Sequence, residues 1–379
     1  MVIDMKKVTI LALHLGYGGV ENAVSTLANT LSSKYDVEIL SVYRLYNEPA
    51  YKLNDNIKVR YVSNIKPNKK EMKYYLSKKN FSMFFKGIGQ SIKTAYVKYV
   101  KTIFELRKLD SNVVISTRIV HNKMVSLFAP KGIRKIAWEH NHHNDKKKYI
   151  KAFVNSCKKM DNVVLVSNSL SEFYKSYLGD KVCFIPNCVD EPNSDKSKLT
   201  EKNIIAVGRL DKVKGFDDLL RVFKKVSNKC SDWVLNIVGD GTEKDYLLSL
   251  AKELRLGERV VFHGYQNKEY INNLLMNSSI YLMTSHTECF PIVLLEAMSY
   301  GIPCISYSSA QGATEIIKDN ETGYLIDNRN EEEMIEKIIT LINDEKLRKK
   351  FGKNALIESK NYSSEVILSK WSKLVNKRK

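Results

Sequence analysis

A repeated alternation of short apolar strands, glycine-bearing turns and helical stripes constrains this chain more than any other feature. Val8 to Leu13 reads as a strand, and Gly16-Tyr17-Gly18-Gly19 follows as a turn. Val20, Ala23, Leu27 and Leu31 then recur at helical spacing. Strand, turn and helix form the first unit of a doubly wound α/β domain. Asp36 to Val42, Ile57 to Val62, Val113 to Ser116, Ile136 to Glu139, Asn162 to Val166 and Val182 to Ile185 continue as strands. His121 falls in what reads as a polar turn, and His140-Asn141-His142-His143 closes the fifth strand.

The polar stretch 191–202 contains Pro192, Asn193, Ser194 and Ser197 and reads as an interdomain linker. Beyond it the alternation restarts. Ile204 to Val207, Val234 to Val238, Val260 to Phe262 and Ile280 to Met283 are strands, and Phe216, Leu219, Leu220 and Phe223 form a helical stripe. Helical patterns return at Glu331 to Leu341 and in the basic tail 361–379. A second parallel α/β domain follows from this repetition. The expected domains are residues 1–187 and 188–360, with a terminal helix in 361–379.

The length of 379 residues suits two domains, and the 44% apolar content is that of a globular protein. No apolar run approaches the roughly 18–20 residues of a membrane-spanning helix. Val8 to Leu13 is too short for a signal-peptide core, so a cytoplasmic protein is expected. The six cysteines contain no C-x-x-C pair and read as buried free thiols; the histidine cluster at 140–143 has no matching cysteines, so no metal is expected.

The formal charge of +19 calls for an acidic partner. Residues 66–108 concentrate it, with twelve Lys and Arg against two acids, and interleave Tyr74, Tyr75, Phe81, Phe84, Phe85, Tyr96 and Tyr99. Two readings fit. Basic helices with aromatic anchors suit an anionic membrane surface. A solvated helical face whose aromatics enter the core has the same composition. No zinc spacing, RNA-binding aromatic motif or basic zipper supports nucleic acid as the partner.

The stretch Thr287 to Gly301 holds two carboxylates, Glu288 and Glu296, separated by seven residues. Pro291 suits a helix start, Ile292 to Met298 carry the helix, and Gly301 can cap its end. Free N–H groups at that start suit phosphate, and carboxylates beside them suit sugar hydroxyls. A solvated Glu pair on a surface helix is the other reading. Other candidates follow neighbouring strands: Arg209 and Lys214, Gly239 and Gly241, and Tyr265 and Gln266. Loops at the carboxyl edge of a parallel sheet converge on one crevice. Arg209 and Lys214 there can neutralise a diphosphate.

As an ordered set, five stretches resemble glycosyltransferase family 4. They are Gly-Gly-Val-Glu (18–21), Ile-Pro-Asn (185–187), Val-Gly-Arg-Leu-Asp-Lys-Val-Lys-Gly (207–215), Val-Gly-Asp-Gly-Thr (238–242) and the Glu–seven–Glu stretch. The resemblance implies the GT-B fold, two Rossmann-like domains facing a central cleft, and a retaining enzyme that uses a nucleotide-sugar as substrate without cofactor or metal. It implies that Glu288 contacts the donor sugar and Glu296 the ribose hydroxyls. Arg209 and Lys214 would bind the diphosphate and stabilise the leaving group. His140 would face the donor sugar, and Gly18 and Gly19 would let the first loop approach the donor phosphates. Gly239, Tyr265, Phe290, Pro291 and Ile292 would complete the donor site, the base being held by backbone near Tyr265. The first domain would bind the acceptor, and the tail would cross back onto it. Pro291 departs from the glycine common there and removes one backbone N–H; Cys188 replaces a frequent glycine.

No residue is placed as a covalent nucleophile, so same-face attack is expected, with the departing phosphate taking the acceptor proton. The expected function is transfer from a UDP-sugar to a saccharide or lipid-linked acceptor in bacterial surface polysaccharide or glycoconjugate assembly, at the inner face of the cell membrane. The competing functions are a non-catalytic basic scaffold that binds nucleic acid or membrane, and a nucleotide-sugar epimerase of the same fold.

Overall fold

The computed structural model describes residues 5–190, 192 and 195–377. It divides into two units, residues 1–186 with 367–379, and residues 187–366. Glu191, Asn193 and Ser194 of the expected linker lie outside the described residues, as do Arg378 and Lys379 of the tail.

The first unit is built on seven parallel strands: β1 (Lys7–Ala12), β2 (Asp36–Tyr43), β3 (Lys58–Ser63), β4 (Val113–Ser116), β5 (Arg134–Glu139), β6 (Asn162–Leu165) and β7 (Val182–Phe184). Their order in the sheet is β3-β2-β1-β4-β5-β6-β7. The central strands are buried along their length, as a sheet covered on both faces requires. The helices of this unit are α1 (Gly19–Ser32), α2 (Lys69–Ser77), α3 (Phe81–Tyr96), α4 (Thr102–Arg107), α5 (Ile119–Phe128), α6 (Lys147–Cys157) and α7 (Asn168–Leu178), with a π turn, Val97–Lys101, joining α3 to α4. α1 turns Ala23, Leu27 and Leu31 inward, and each is nearly inaccessible to solvent.

The second unit has six parallel strands: β8 (Asn203–Val207), β9 (Val234–Val238), β10 (Val260–Gly264), β11 (Ile280–Met283), β12 (Cys304–Tyr307) and β13 (Gly323–Ile326), ordered β10-β9-β8-β11-β12-β13. Its helices are α8 (Phe216–Lys229), α9 (Lys244–Glu253), α10 (Lys268–Met276), α11 (Ile292–Ser299), α12 (Glu331–Asn343) and α13 (Glu345–Ser359). Leu220 and Phe223 of α8 and Ile338 and Leu341 of α12 join Ile204, Leu235 and Ile305 of the sheet in one core. The last helix, α14 (Ser364–Asn376), groups with the first unit from Ile367 onward. Both units are thus doubly wound Rossmann-like domains of the GT-B type.

Two local expectations are corrected. His121 lies in α5, not in a turn, and is fully buried. Its neighbours Met124 and Val125 are buried and make the segment a core helix despite its polar members. The stretch read as a linker belongs to the second unit. Leu199 is buried and its carbonyl accepts from Arg348 Nε at 3.0 Å, while Ser197 N donates to Tyr300 O at 3.0 Å.

Trp371 on α14 is wholly buried, its ring edge-on to Trp138 of β5 at 5.5 Å. Asn376 adds a bond from Nδ2 to the Tyr35 hydroxyl at 3.1 Å. Trp371→Ala is expected to remove about 3–5 kcal/mol of stability through the cavity it leaves. Ile357→Ala, at an exposed site, should stay within about 0.5 kcal/mol. Urea midpoints followed by far-UV dichroism check this, and equal midpoints would refute the anchoring role of Trp371.

Candidate functional site

In the second domain β8 and β11 are neighbours in space but lie 73 positions apart in the chain, counted from Ile280 back to Val207. The chain lays β9 and β10 on one side of β8, then returns to lay β12 and β13 beyond β11. Loops leaving the carboxyl ends of β8 and β11 therefore diverge and open a crevice. Tyr281 holds its floor. The buried hydroxyl accepts from Val207 N at 3.2 Å and donates to Val207 O at 3.1 Å, just where the two strands stop pairing.

Lys214 and Glu288 meet across this crevice as an ion pair between Nζ and Oε1. Ser285 Oγ donates to the same Oε1 at 3.0 Å. The approach of the two loops is built into the backbone. Gly215 has φ 63°, and a Cβ there would stand 2.3 Å from Thr284 O. Thr284 Oγ1 donates to Gly215 O at 2.7 Å, and His286 N donates to Val213 O at 2.8 Å. Behind the pair, between Phe216, Tyr281 and Val293, there is about 10 Å³ of space, room for one water at most.

Arg329 buttresses the Glu288 loop from behind. It pairs with Asp218, donates to Thr284 O at 2.9 Å and Ser285 O at 3.1 Å, and lies 4.3 Å from the Tyr307 ring centre. The three-residue turn Gln311–Ala313 closes the other side. Gly312 N donates to Glu288 O at 2.9 Å, and a Cβ at Gly312 would reach Cys289 O at 2.3 Å.

The helix start expected at Pro291 is present, with Pro291 immediately before the first helical residue, Ile292. α11 has no side-chain cap and no acid in its first turn. Pro291 supplies no N–H, so Ile292 and Val293 carry the first amides of the helix. Phe290 is buried with its ring 5.8 Å from Tyr362, which leaves only its backbone for a ligand. Glu296 is half-buried on α11. Burial disfavours the charge of Lys268, but Glu296 and Asp190 together raise its pKa, and Lys268 Nζ donates to Asp190 Oδ2 at 2.9 Å.

Arg209 stands apart from the pair. It is exposed, and its Nε donates to Asp211 Oδ2 at 2.5 Å. Gly239 is at φ 145°, and a Cβ there would stand 1.8 Å from Gly208 O, so the Arg209 and Gly239 loops touch only because Gly239 has no side chain. Tyr265 is exposed at the next loop. Among the described residues no three His, Cys, Asp or Glu side chains gather as metal ligands would.

The first domain has its own crevice, between β1 and β4. Here Glu21, at 6% exposure, accepts from Arg118 Nη2 at 2.8 Å, with His14 Nδ1 3.6 Å away. Burial lowers the His14 pKa; Glu21 opposes the shift and Arg118 adds to it. Glu21 also reaches back to the helix start, its Oε2 lying 2.3 Å from where a Gly18 Cβ would be. His140 packs 4.1 Å from the Trp138 ring. Burial, with Arg118 nearby, pushes its pKa down to about 3, so the ring is neutral. His143 is buried against Phe173 at 4.2 Å and has a packing role. Sequence reasoning assigned no role to Ser285, Arg329, Lys268, His14 or Arg118, whose importance appears only through partners distant in the chain.

Residues 190–357 match the family described as Glycosyl transferases group 1. An uncharacterized glycosyltransferase of Haemophilus influenzae is 29% identical over 97% of this chain and 99% of its own. An N-acetylgalactosaminyltransferase of Campylobacter jejuni that acts on a diphospho-undecaprenol-linked saccharide is 25% identical over 94% of this chain and 96% of its own. Among solved structures, S. aureus TarM superposes with a TM-score of 0.80 at 18% identity, covering 98% of this chain and 100% of that one. Anabaena HepE superposes at 0.75 and 17% identity, covering 98% and 99%. These matches support a glycosyltransferase of the group 1 type; family 4 is a finer assignment than they carry.

The neutral histidines give the first domain a pH signature. His121 is pushed down to about 3 by burial, helped by Arg118 and Lys98. Below about pH 6.5 the unfolded chain takes up a proton that the native site refuses, so stability falls with acidification until about pH 3. His121→Leu should flatten this slope by on the order of 1–2 kcal/mol between pH 6.5 and 5. Chemical denaturation at the two pH values measures it. An identical loss in wild type and variant would show that His121 carries no such linkage.

Proposed function

We propose that this protein is a retaining glycosyltransferase that moves a sugar from a nucleotide-diphosphate donor, UDP-sugar favoured, to a saccharide or lipid-linked acceptor. The reaction serves bacterial surface polysaccharide or glycoconjugate assembly, at the cytoplasmic face of an anionic membrane. The observation that carries this reading is the Lys214–Glu288 pair beside the uncapped start of α11. Lys has three N–H donors and Glu288 uses one, so two remain for phosphate oxygens. Both Glu288 contacts fall on Oε1, which leaves Oε2 to accept a hydroxyl of the sugar being moved.

The first amides of α11, those of Ile292 and Val293, add the partial positive charge of a helix start. Arg209, exposed on the adjoining loop, swings from Asp211 to the diphosphate. Together these groups stabilise negative charge as it develops on the leaving phosphate, often the largest single catalytic contribution. Glu296, whose charge acts on Lys268, accepts the ribose hydroxyls. The departing phosphate takes the acceptor proton on the same face, and no metal takes part. His140, neutral, serves as a hydrogen-bonding partner for the sugar rather than as a cation.

The relatives favour this choice of substrates. The C. jejuni relative is named for an undecaprenol-linked acceptor, and a 28% identical S. aureus relative is a poly(ribitol-phosphate) alpha-N-acetylglucosaminyltransferase. UDP is bound in the TarM and HepE crystals.

A panel of UDP-, GDP- and ADP-sugars is expected to raise the melting temperature with UDP-sugars foremost, and Glu296→Ala and Arg209→Ala should reduce the rise. Glu288→Ala should cut turnover by roughly 10²–10³. The anomeric proton of the product, read by NMR, should show retention, and chelator should leave the rate unchanged. A flat panel, or full turnover by Glu288→Ala, would defeat the donor-site assignment.

A further inference from the structure

The basic segment of the first domain is a helical hairpin with one face unused. α2 presses on α3 at Gly87, where a Cβ would stand 2.3 Å from Met72 Sδ. Asn68 Nδ2 donates to Gly87 O at 2.9 Å, and Ser91 Oγ donates to Asn68 Oδ1 at 3.0 Å. The Tyr43 hydroxyl of β2 donates to Thr94 O at 3.0 Å and ties α3 to the sheet. Further along, Val97, Thr102 and Leu106 face inward and are buried. Their spacing of five and then four residues marks the π turn, and Thr102 Oγ1 donates to Val97 O at 2.9 Å.

The outer face carries Phe81, Phe85, Ile92, Tyr96, Val100 and Phe104, all exposed. Phe85 and Ile92 are 65% and 64% accessible, and α3 buries none of its residues. Up to Tyr96 the intervals of four, seven and four keep the stripe on one side of an α-helix. Continued α-helix would carry Val100 and Phe104 progressively off that line. The π turn rotates each residue by less than the roughly 100° of an α-helix, which returns both to the stripe. One apolar line thus runs through α3 and α4.

Exposed Lys86 and Lys93 lie on α3 and exposed Lys101 on the π turn, with Lys78 and Lys79 before the stripe and Arg107 and Lys108 after it. Of the two acids in 66–108, Glu105 is taken up by Arg60 of β3. We infer that this face docks on an anionic lipid bilayer, α3 and α4 lying in the headgroup plane with the aromatic stripe inward and the lysines on lipid phosphates. Charge complementarity selects this occupant. A second copy laid on the stripe would bring like-charged lysines together, whereas acidic headgroups neutralise them. No helix among the described residues is long and apolar enough to cross a membrane, so attachment is by surface contact. The lipid-linked acceptor of the proposed function supplies the purpose of the contact and rests on that reading; the binding itself does not.

Co-sedimentation of the full chain with vesicles of equal parts phosphatidylglycerol and phosphatidylcholine tests it, with pure phosphatidylcholine as the control. Binding is expected to the anionic vesicles and to weaken with salt. Phe85→Ser with Ile92→Ser, and separately Lys86→Glu with Lys93→Glu, should each lower partitioning by about tenfold or more. Both variants should keep the wild-type melting temperature and donor-induced shift. Equal binding to both vesicle types, or equal partitioning of variants and wild type, overturns the inference. So does a dimer in light scattering that Phe85→Ser with Ile92→Ser dissolves while vesicle binding persists. Failed vesicle binding with an intact donor shift removes only the membrane contact, and the reverse result removes only the transferase reading.

Discussion

The Lys214–Glu288 pair depends on topology before it depends on charge. The two residues are brought together only because β8 and β11 lie side by side at the point where the strand order reverses. Two features then set the distance: the left-handed Gly215 and the threonine hydroxyl that clasps its carbonyl. A partly desolvated ion pair is weak support for stability, because attraction is offset by the cost of removing both charges from water. Its value lies in holding a cation still at the mouth of a crevice. A rigid cation at a helix start needs no reorganisation when an anion arrives, and that separates a binding site from a surface charge.

Both domains bridge their reversal points with an acid–base pair, Glu21–Arg118 in the first and Glu288–Lys214 in the second. The helices beside them differ in consequence. In the first domain the acid lies within the first turn of α1 and pairs with Arg118. In the second domain the acid precedes α11 and its charge is spent on Lys214 and Ser285. The start of α11 is left without a carboxylate. The same fold, used twice, therefore places its acid inside the helix in one domain and ahead of it in the other.

The strands were readable because parallel strands buried on both faces give short unbroken apolar runs, as in Val234–Val238 and Ile280–Met283. The approach of Glu288 and Lys214 was readable in outline because each lies in the loop that leaves such a run. What escaped had no local signal. β13 is four residues opening on a glycine, and α13 buries Arg348, Phe351 and Ala355 among lysines, too sparse a stripe to announce a helix. His121 looked polar, yet α5 buries it. Leu199 sat in a hydrophilic stretch that reads as a linker until Arg348 is seen to bond its carbonyl. Arg329 and Lys268 gain meaning only from Asp218 and Asp190, over 70 residues away.

Charge location decides between partners that net charge cannot separate. Residues 66–108 hold twelve basic and two acidic residues, an excess of ten out of the chain's nineteen. Around the β8–β11 crevice, by contrast, Lys214 is matched by Glu288, Arg209 by Asp211, Arg329 by Asp218 and Lys268 by Asp190. A nucleic-acid groove would carry unbalanced cations along a continuous track able to displace many counterions. Here the unbalanced cations flank an apolar line on one pair of helices, and an exposed apolar line gains nothing from a phosphodiester backbone. It gains from hydrocarbon, so the excess charge and the aromatic residues share one explanation only if the acidic partner is a lipid surface.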